Sequence, residues 1–225
     1  MKRDGLDGLM GFDYAHRGLF DTANGIPENS LAAFENAVKH GYGIELDVQL
    51  TKDEVVVVCH DRNLKRLFGM EGDIKSLNYV DVAFLPTLEQ ALKTVGGKTP
   101  LIVELKSYNR IYLLAAKVRD ILKGYRGAYC VESFDAKIVR WFRLNAPDTI
   151  RGQLVSKSAA VWRCFISKPD FIAAKIGMEK GCVIKWLKKR FALFTVAWTA
   201  RTAGEMKTAK RSYNLQIFEL SALKD

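Results

Sequence analysis

The sequence predicts an α/β protein, a TIM (β/α)8 barrel with a small insertion after the second strand and its hairpin. Three observations lead there. Strand-like and helix-like segments alternate along the chain, the pattern of a parallel sheet covered by helices. Nine strand candidates can be marked, but one follows its predecessor too closely to run parallel to it. Histidines and acids gather at the ends of the early strands, where such a barrel keeps its active site.

Residues 12–16 form a short strand candidate ending at His16. Pro27-Glu28-Asn29-Ser30 reads as a helix entry, and Leu31, Phe34, Ala37 and Val38 recur at helical spacing until Gly41 and Gly43 close the helix. Strand 44–50 follows. Only Thr51-Lys52-Asp53-Glu54 separate it from Val55-Val56-Val57-Val58-Cys59. A parallel crossover needs a dozen or more residues, so 55–59 must return antiparallel, folding His60 back toward Glu45 and Asp47. Residues 62–86, with Gly69 and Gly72, make a small insertion over one rim. Pro86-Thr87 opens a helix through Glu89, Ala91 and Leu92, and strand 101–106 comes next. Helices around 111–123, 135–145, 178–189 and 202–211 then alternate with strands 129–134, 150–155, 171–175, 193–198 and 215–218. The pattern is least regular between 157 and 190. With the hairpin strand set aside eight strands remain, and residues 1–225 read as one domain.

An apolar fraction of 48%, with 11% aromatic residues, is enough for a sizeable core. Lys and Arg number 35 against 25 Asp and Glu, a formal charge of +10. That surplus favours an anionic ligand, an acidic membrane surface or nucleic acid, or is only a solvated face. No recognised nucleic-acid motif accompanies it, so no nucleic-acid partner is expected. Cys59, Cys130, Cys164 and Cys182 show no C-x-x-C spacing and read as reduced core thiols of a cytoplasmic protein. Neither a secretory h-region nor a run of about 18 apolar residues is visible.

Glu45 and Asp47, two apart on a strand, share one face, and Glu104 ends the next barrel strand. Two readings stand. The three acids converge on a hard divalent cation, Mg2+ or Ca2+, or they are strand-end acids paired with nearby lysines. His16 and His60 suit proton transfer near neutral pH, or are hydrogen-bonded loop histidines; His40, at a helix C-terminus, reads as structural. Arg17 and Lys106 stand where they can neutralise phosphate oxygens or pair with the acids. Glu28 and Asn29 cap a helix or reach a ligand, with Asn29 read as structural. Ser133 and Trp198 end later strands and are candidates to line the mouth, or, for Trp198, to pack in the core.

The ordered series Ala15-His16-Arg17-Gly18, Pro27-Glu28-Asn29-Ser30-Leu31, Glu45-Leu46-Asp47 through Asp53, Val57-Val58-Cys59-His60-Asp61, Pro86-Thr87-Leu88, Glu104-Leu105-Lys106, Ser133-Phe134 and Trp198-Thr199 resembles the glycerophosphodiester phosphodiesterase family. Each piece alone is weak; their order and spacing cover nearly the whole chain. The resemblance implies a metal-dependent barrel enzyme that releases an alcohol from a glycerophosphodiester and leaves glycerol 3-phosphate. On that pattern His16 and His60 are the acid/base pair, and Glu45, Asp47 and Glu104 bind the metal. Arg17, Lys106, Glu28 and Trp198 then face the substrate. The family mechanism uses the substrate's own glycerol hydroxyl and passes through a cyclic phosphate. The second half departs from the pattern: Ala200 and Arg201 stand where a polar residue, often Asn, is usual, and the last strand lacks the frequent Thr-Asp and its following proline.

Two other functions compete with hydrolysis of small glycerophosphodiesters. One is lysophospholipase D-like action on single-chain lipids, for which a contiguous patch of Trp, Phe and Leu at the barrel mouth would speak. The stretch 182–194, with Trp186, Leu187, Lys188, Lys189, Arg190 and Phe191, is the candidate for peripheral membrane contact, or an outer-layer amphipathic helix. The other is a non-catalytic anion-binding barrel.

Overall fold

The computed structural model describes residues 6–181, 184, 186, 189 and 193–224. Its strands are β1 (Tyr14–Ala15), β2 (Gly43–Leu50), β3 (Val56–Val58), β4 (Leu101–Leu105), β5 (Tyr129–Ser133), β6 (Arg151–Val155), β7 (Phe171–Lys175), β8 (Phe194–Ala200) and β9 (Leu215–Phe218). All neighbours except β3 pair in parallel, and β1 closes the ring by pairing with both β9 and β2. β3 returns antiparallel along β2, with Val48 opposite Val58, as the four-residue turn requires.

The helices among the described residues are α1 (Leu31–Lys39), α2 (Lys65–Phe68), α3 (Leu88–Val95), α4 (Ile111–Leu122), α5 (Ala136–Asn145), α6 (Arg163–Ser167) and α7 (Ala203–Ser212). Local chemistry sets their starts. The Ser30 hydroxyl accepts from the Ala33 amide, Thr87 and Gln90 form a reciprocal capping box, Asp135 caps α5 and Thr202 caps α7. Gly96 stops α3 at φ 59°, a left-handed angle that costs glycine nothing.

Strand alternation divides the apolar residues between two layers. Val103, Leu105 and Val131 face outward against Phe34, Leu114 and Phe142 of the helices. Ile102, Cys130, Phe171 and Val196 face inward with Tyr14 and Ile217 and fill the barrel. Residues 62–86 pack a separate cluster of Val57, Cys59, Leu64, Ile74, Val82 and Leu85, so the insertion is anchored on the hairpin.

The irregular stretch holds the differences from expectation. Between β6 and β7 lie a 3-10 turn at Ser158–Trp162 and α6, which the sequence pattern did not resolve. Of the helix expected over 178–189, Met178–Lys180 form a 3-10 turn, and Ile184, Trp186 and Lys189 are helical. Leu187, Lys188, Arg190 and Phe191 of the candidate membrane stretch, and Cys182, lie outside the described residues. Cys59, Cys130 and Cys164 are buried free thiols, as expected.

Inside the barrel, Gly152 is opposite Phe171, whose ring crosses the space a side chain would take; a Cβ there would lie 2.1 Å from the ring. Gly152→Ala is therefore expected to destabilise the fold by about 3 kcal/mol in urea unfolding. Adding Phe171→Leu should return part of that loss, a non-additivity that separates ring overlap from a backbone effect.

Candidate active site

The turn after β1 opens the site. His16 donates its amide to Phe218 O at 2.8 Å, which fixes the residue at the barrel rim. Arg17 follows at φ 58° and Gly18 at φ 78°. A Cβ on Gly18 would approach Ala33 to 2.9 Å, so the turn needs glycine for both its angle and its packing. The left-handed Arg17 is held there because its amide donates to Glu45 Oε2 at 3.0 Å. Its Nη1 donates to Glu28 Oε1 at 2.6 Å, and its Nε lies 3.6 Å from Asp47 Oδ2. Asn29, also left-handed at φ 53°, donates Nδ2 to Asp47 Oδ2 at 2.9 Å. Its structural reading becomes specific: it aims Asp47.

Glu45 and Asp47 project inward from β2, and Asp47 is in register with Glu104 on β4. One oxygen from each of Glu45, Asp47 and Glu104 lies within 4.8 Å of the others, and all three residues are buried. Lys106 Nζ sits 2.8 Å from both Asp47 Oδ1 and Glu104 Oε1. Both readings of these residues therefore hold together: the acids converge, and Lys106 pairs with two of them. Burial would lower the lysine pKa, yet Asp47 and Glu104 hold it well above the ordinary range. Burial would raise Asp47, but Lys106, His60 and Arg17 hold it well below. Burial dominates at the other acids, lifting Glu104 to about 7 and Glu45 well above its usual range, where Asp47, Glu104 and Glu132 also repel it. The site thus holds more negative charge than its two internal cations neutralise. Oxygen donors in excess of charge partners fit a hard divalent cation.

Both histidines are oriented through Nδ1. His16 Nδ1 is 3.1 Å from Glu219 Oε1, and His60 Nδ1 is 2.7 Å from Asp61 Oδ1. A carboxylate can only accept, so each neutral ring carries its proton on Nδ1 and leaves the Nε2 lone pair free. His16 Nε2 points to Glu45, 4.0 Å from Oε2. Burial lowers both histidine pKa values, against the opposing pull of Glu219 on His16 and of Asp47 on His60. Gln49 secures the return of the hairpin by donating to Cys59 O and Asp61 O at 2.9 and 2.7 Å.

Glu28 does not cap the helix, whose cap is Ser30. It accepts from Arg17 and from Arg66 Nη2, both at 2.6 Å, while Arg66 Nε donates to Asp61 Oδ2 at 2.5 Å. Arg66, on α2 in the insertion, thereby ties the Arg17 and His60 sides of the site together. His40 stays outside, bonded to Asn36 O on its own helix. Trp198 is partly buried and packs against the inner core cluster, its ring 5.5 Å from Phe134 in an edge-on contact, with its indole N–H donated to Ala173 O. Ser133 does not line the mouth. One step along the strand from inward Glu132, it faces outward, and its hydroxyl donates to Leu105 O.

A groove of about 760 Å³ leaves the mouth at Ser107 and Phe134 and runs over α5 and α6. Trp141, Leu144, Trp162 and Ile166 line it, with Lys137 and Arg140 alongside. No described helix is long and apolar enough to cross a membrane.

A family model described as the glycerophosphoryl diester phosphodiesterase family matches residues 16–214. The chain belongs to that family. A glycerophosphodiester phosphodiesterase of Caldanaerobacter subterraneus subsp. tengcongensis is 39% identical over 182 residues, covering 72% of this chain and 71% of that protein. Human lysophospholipase D GDPD1 is 36% identical over 120 residues, covering 44% of this chain and 37% of that one. The chain spans about half the length of the first curated relatives it matches. The structure of an Oleispira antarctica phosphodiesterase in complex with the product sn-glycerol-3-phosphate has the same fold, with a TM-score of 0.82 at 20% identity, covering 98% of this chain and 96% of that one.

Three residues beside the family motifs escaped the sequence reading. Glu132 precedes the matched Ser133-Phe134, and strand alternation could have turned it inward. Glu219 ends the strand noted only for lacking Thr-Asp. Arg66 carries no local signal, because its partner Glu28 is 38 residues away.

Burial would raise the Glu219 pKa, but His16 and Arg201 bring it down to about 2. A depressed carboxylate stabilises the fold fully above its unfolded value near 4.5 and loses that contribution as pH falls toward 2. Wild type should therefore melt above Glu219→Gln at pH 7, with the gap narrowing below about pH 5 and closing only near pH 2. The same variant should lower the His16 pKa in an NMR titration, since it removes the negative charge that favours the imidazolium. A gap independent of pH would contradict the assignment.

Proposed function

We propose that the protein is a cytoplasmic, single-domain, metal-dependent phosphoric diester hydrolase that converts glycerophosphodiesters to an alcohol and glycerol 3-phosphate. One observation carries the reading: a buried three-acid donor set stands beside two histidines, each oriented through Nδ1 by its own carboxylate. Family membership supports it, as does the Caldanaerobacter relative's name.

In this proposal Glu45, Asp47 and Glu104 hold the cation, Mg2+ or Ca2+. When bound, it withdraws charge from the phosphoryl oxygens. Arg17 and Lys106 add positive charge at the same oxygens, with Glu28 bracing Arg17 and the face of Trp198 bounding the substrate. One imidazole takes the proton from the substrate's glycerol hydroxyl through Nε2. That oxygen bonds to phosphorus, the alcohol leaves, and the second imidazole, protonated, supplies the alcohol's proton. The histidines then exchange roles as water opens the cyclic phosphate, giving glycerol 3-phosphate.

The test is release of glycerol 3-phosphate from glycerophosphocholine, glycerophosphoethanolamine and glycerophosphoglycerol, with Mg2+, Ca2+ or EDTA. EDTA should abolish release, and His16→Ala or His60→Ala should each reduce kcat by about 10²- to 10⁴-fold. An intact protein that releases nothing from these three would sink the proposal and turn the test to lysophospholipids; no hydrolysis there either would leave an anion-binding barrel.

The groove favours a second reading, lysophospholipase D-like hydrolysis of lysophospholipids, with the acyl chain lying along Leu144, Trp162 and Ile166. The human relative carries that name. In that case Trp162→Ala should raise KM for lysophosphatidylcholine about tenfold, the cost of unburying a few methylenes, while leaving glycerophosphocholine hydrolysis unchanged. An equal effect on both substrates would argue against an acyl-chain groove.

A further inference from the structure

The barrel interior holds a fourth carboxylate that the three-acid set leaves out. We propose that Glu132 belongs to the divalent-cation site as an outer carboxylate, adding its charge and holding a water ligand of the ion. This rests on the cation-dependent reading above and adds a residue to it.

Register is the first argument. Asp47 on β2 is opposite Glu104 on β4, and Glu104 is opposite Glu132 on β5, so the three acids form one row across adjacent strands. Parallel partners in register point to the same face, which here is the barrel interior. The row ends beyond Glu132 at Gly152, where the Phe171 ring fills the space.

The second argument is the missing partner. Glu132 is only 2% exposed, and its Oε2 is buried without a hydrogen-bond partner. Among the described residues no lysine, arginine or histidine makes an ion pair with it, because Lys106 is engaged by Asp47 and Glu104. Cys130 lies two residues below it on the inward face. Phe134 lies two above and stacks edge-on against Trp198. A carboxyl group left unpaired in such surroundings destabilises the fold, and its retention calls for an ion or water that is part of the working site.

Charge completes the case. Glu45, Asp47, Glu104 and Glu132 lie near enough to repel one another, and the two nearby cations are shared: Lys106 pairs with Asp47 and Glu104, and Arg17 with Asp47 and Glu28. Glu132 is outside the set of oxygens that lie within 4.8 Å of one another, hence the role through a water ligand instead of direct ligation.

The experiment is calorimetric titration of Ca2+ and of Mn2+ into wild type, Glu132→Gln, Glu132→Asp and Glu45→Gln, with melting temperatures in EDTA. Glu132→Gln should bind both ions about 10- to 100-fold more weakly. Its melting temperature in EDTA should rise, since an unpaired buried acid is gone. Glu132→Asp, which keeps the charge, should bind more tightly than Glu132→Gln. Binding by Glu132→Gln within about twofold of wild type would overturn the inference, twofold being well short of the loss expected of an outer partner. So would a lowered melting temperature with equal loss of binding in both Glu132 variants, the mark of a structural role. If Glu45→Gln alone loses binding, only this inference fails; if wild type binds neither ion, the cation-dependent reading fails with it.

Discussion

The Lys106 ammonium, held between Asp47 and Glu104, is the interaction on which the rest of the site depends. It allows two carboxyl groups to stand side by side inside a barrel, each 2.8 Å from a single nitrogen, and keeps Asp47 ionised. Removing one member of such a buried group would leave an uncompensated charge, a loss of about 3–5 kcal/mol. With Lys106 in place, the remaining excess of negative charge falls on Glu45, Glu104 and Glu132, which is why burial raises these three while Asp47 stays low.

Around that pair the fold supplies rigidity by unequal means. Strands β2 and β4 deliver the acids through ladder register, which fixes positions to a fraction of an ångström. The histidines come from loops and need separate braces. His16 is held by Phe218 O and Glu219, and His60 by Gln49, Asp61 and, through Asp61, Arg66. The insertion therefore serves the site as well as covering a rim: its Arg66 closes a chain of ion pairs from Arg17 through Glu28 to Asp61. Each brace leaves Nε2 of a part-buried imidazole free, as the proposed proton transfer requires.

The mouth tells a different story from the floor. Below, buried acids outnumber the cations that pair with them. Above, Phe134 and Trp198 give way to a basic, aromatic groove whose Trp162 and Leu144 are more than half exposed. The departures of the second half from the family pattern fall at the end of β8 and on β9.

Sequence alone determined the strand and helix alternation, the antiparallel return of β3, and the identities of His16, His60, Glu45, Asp47, Glu104 and Lys106. These are local properties: a period of two or three and a half residues, a turn too short for a crossover, motifs whose members lie close along the chain. Tertiary structure decided what local pattern cannot carry. It turned Ser133 outward and Glu132 inward, supplied Glu219 to His16 across 203 residues, and brought Arg66 to Glu28 across 38. Such partners depend on barrel closure and ladder register, which join residues by angle around a ring and leave no spacing along the chain to read.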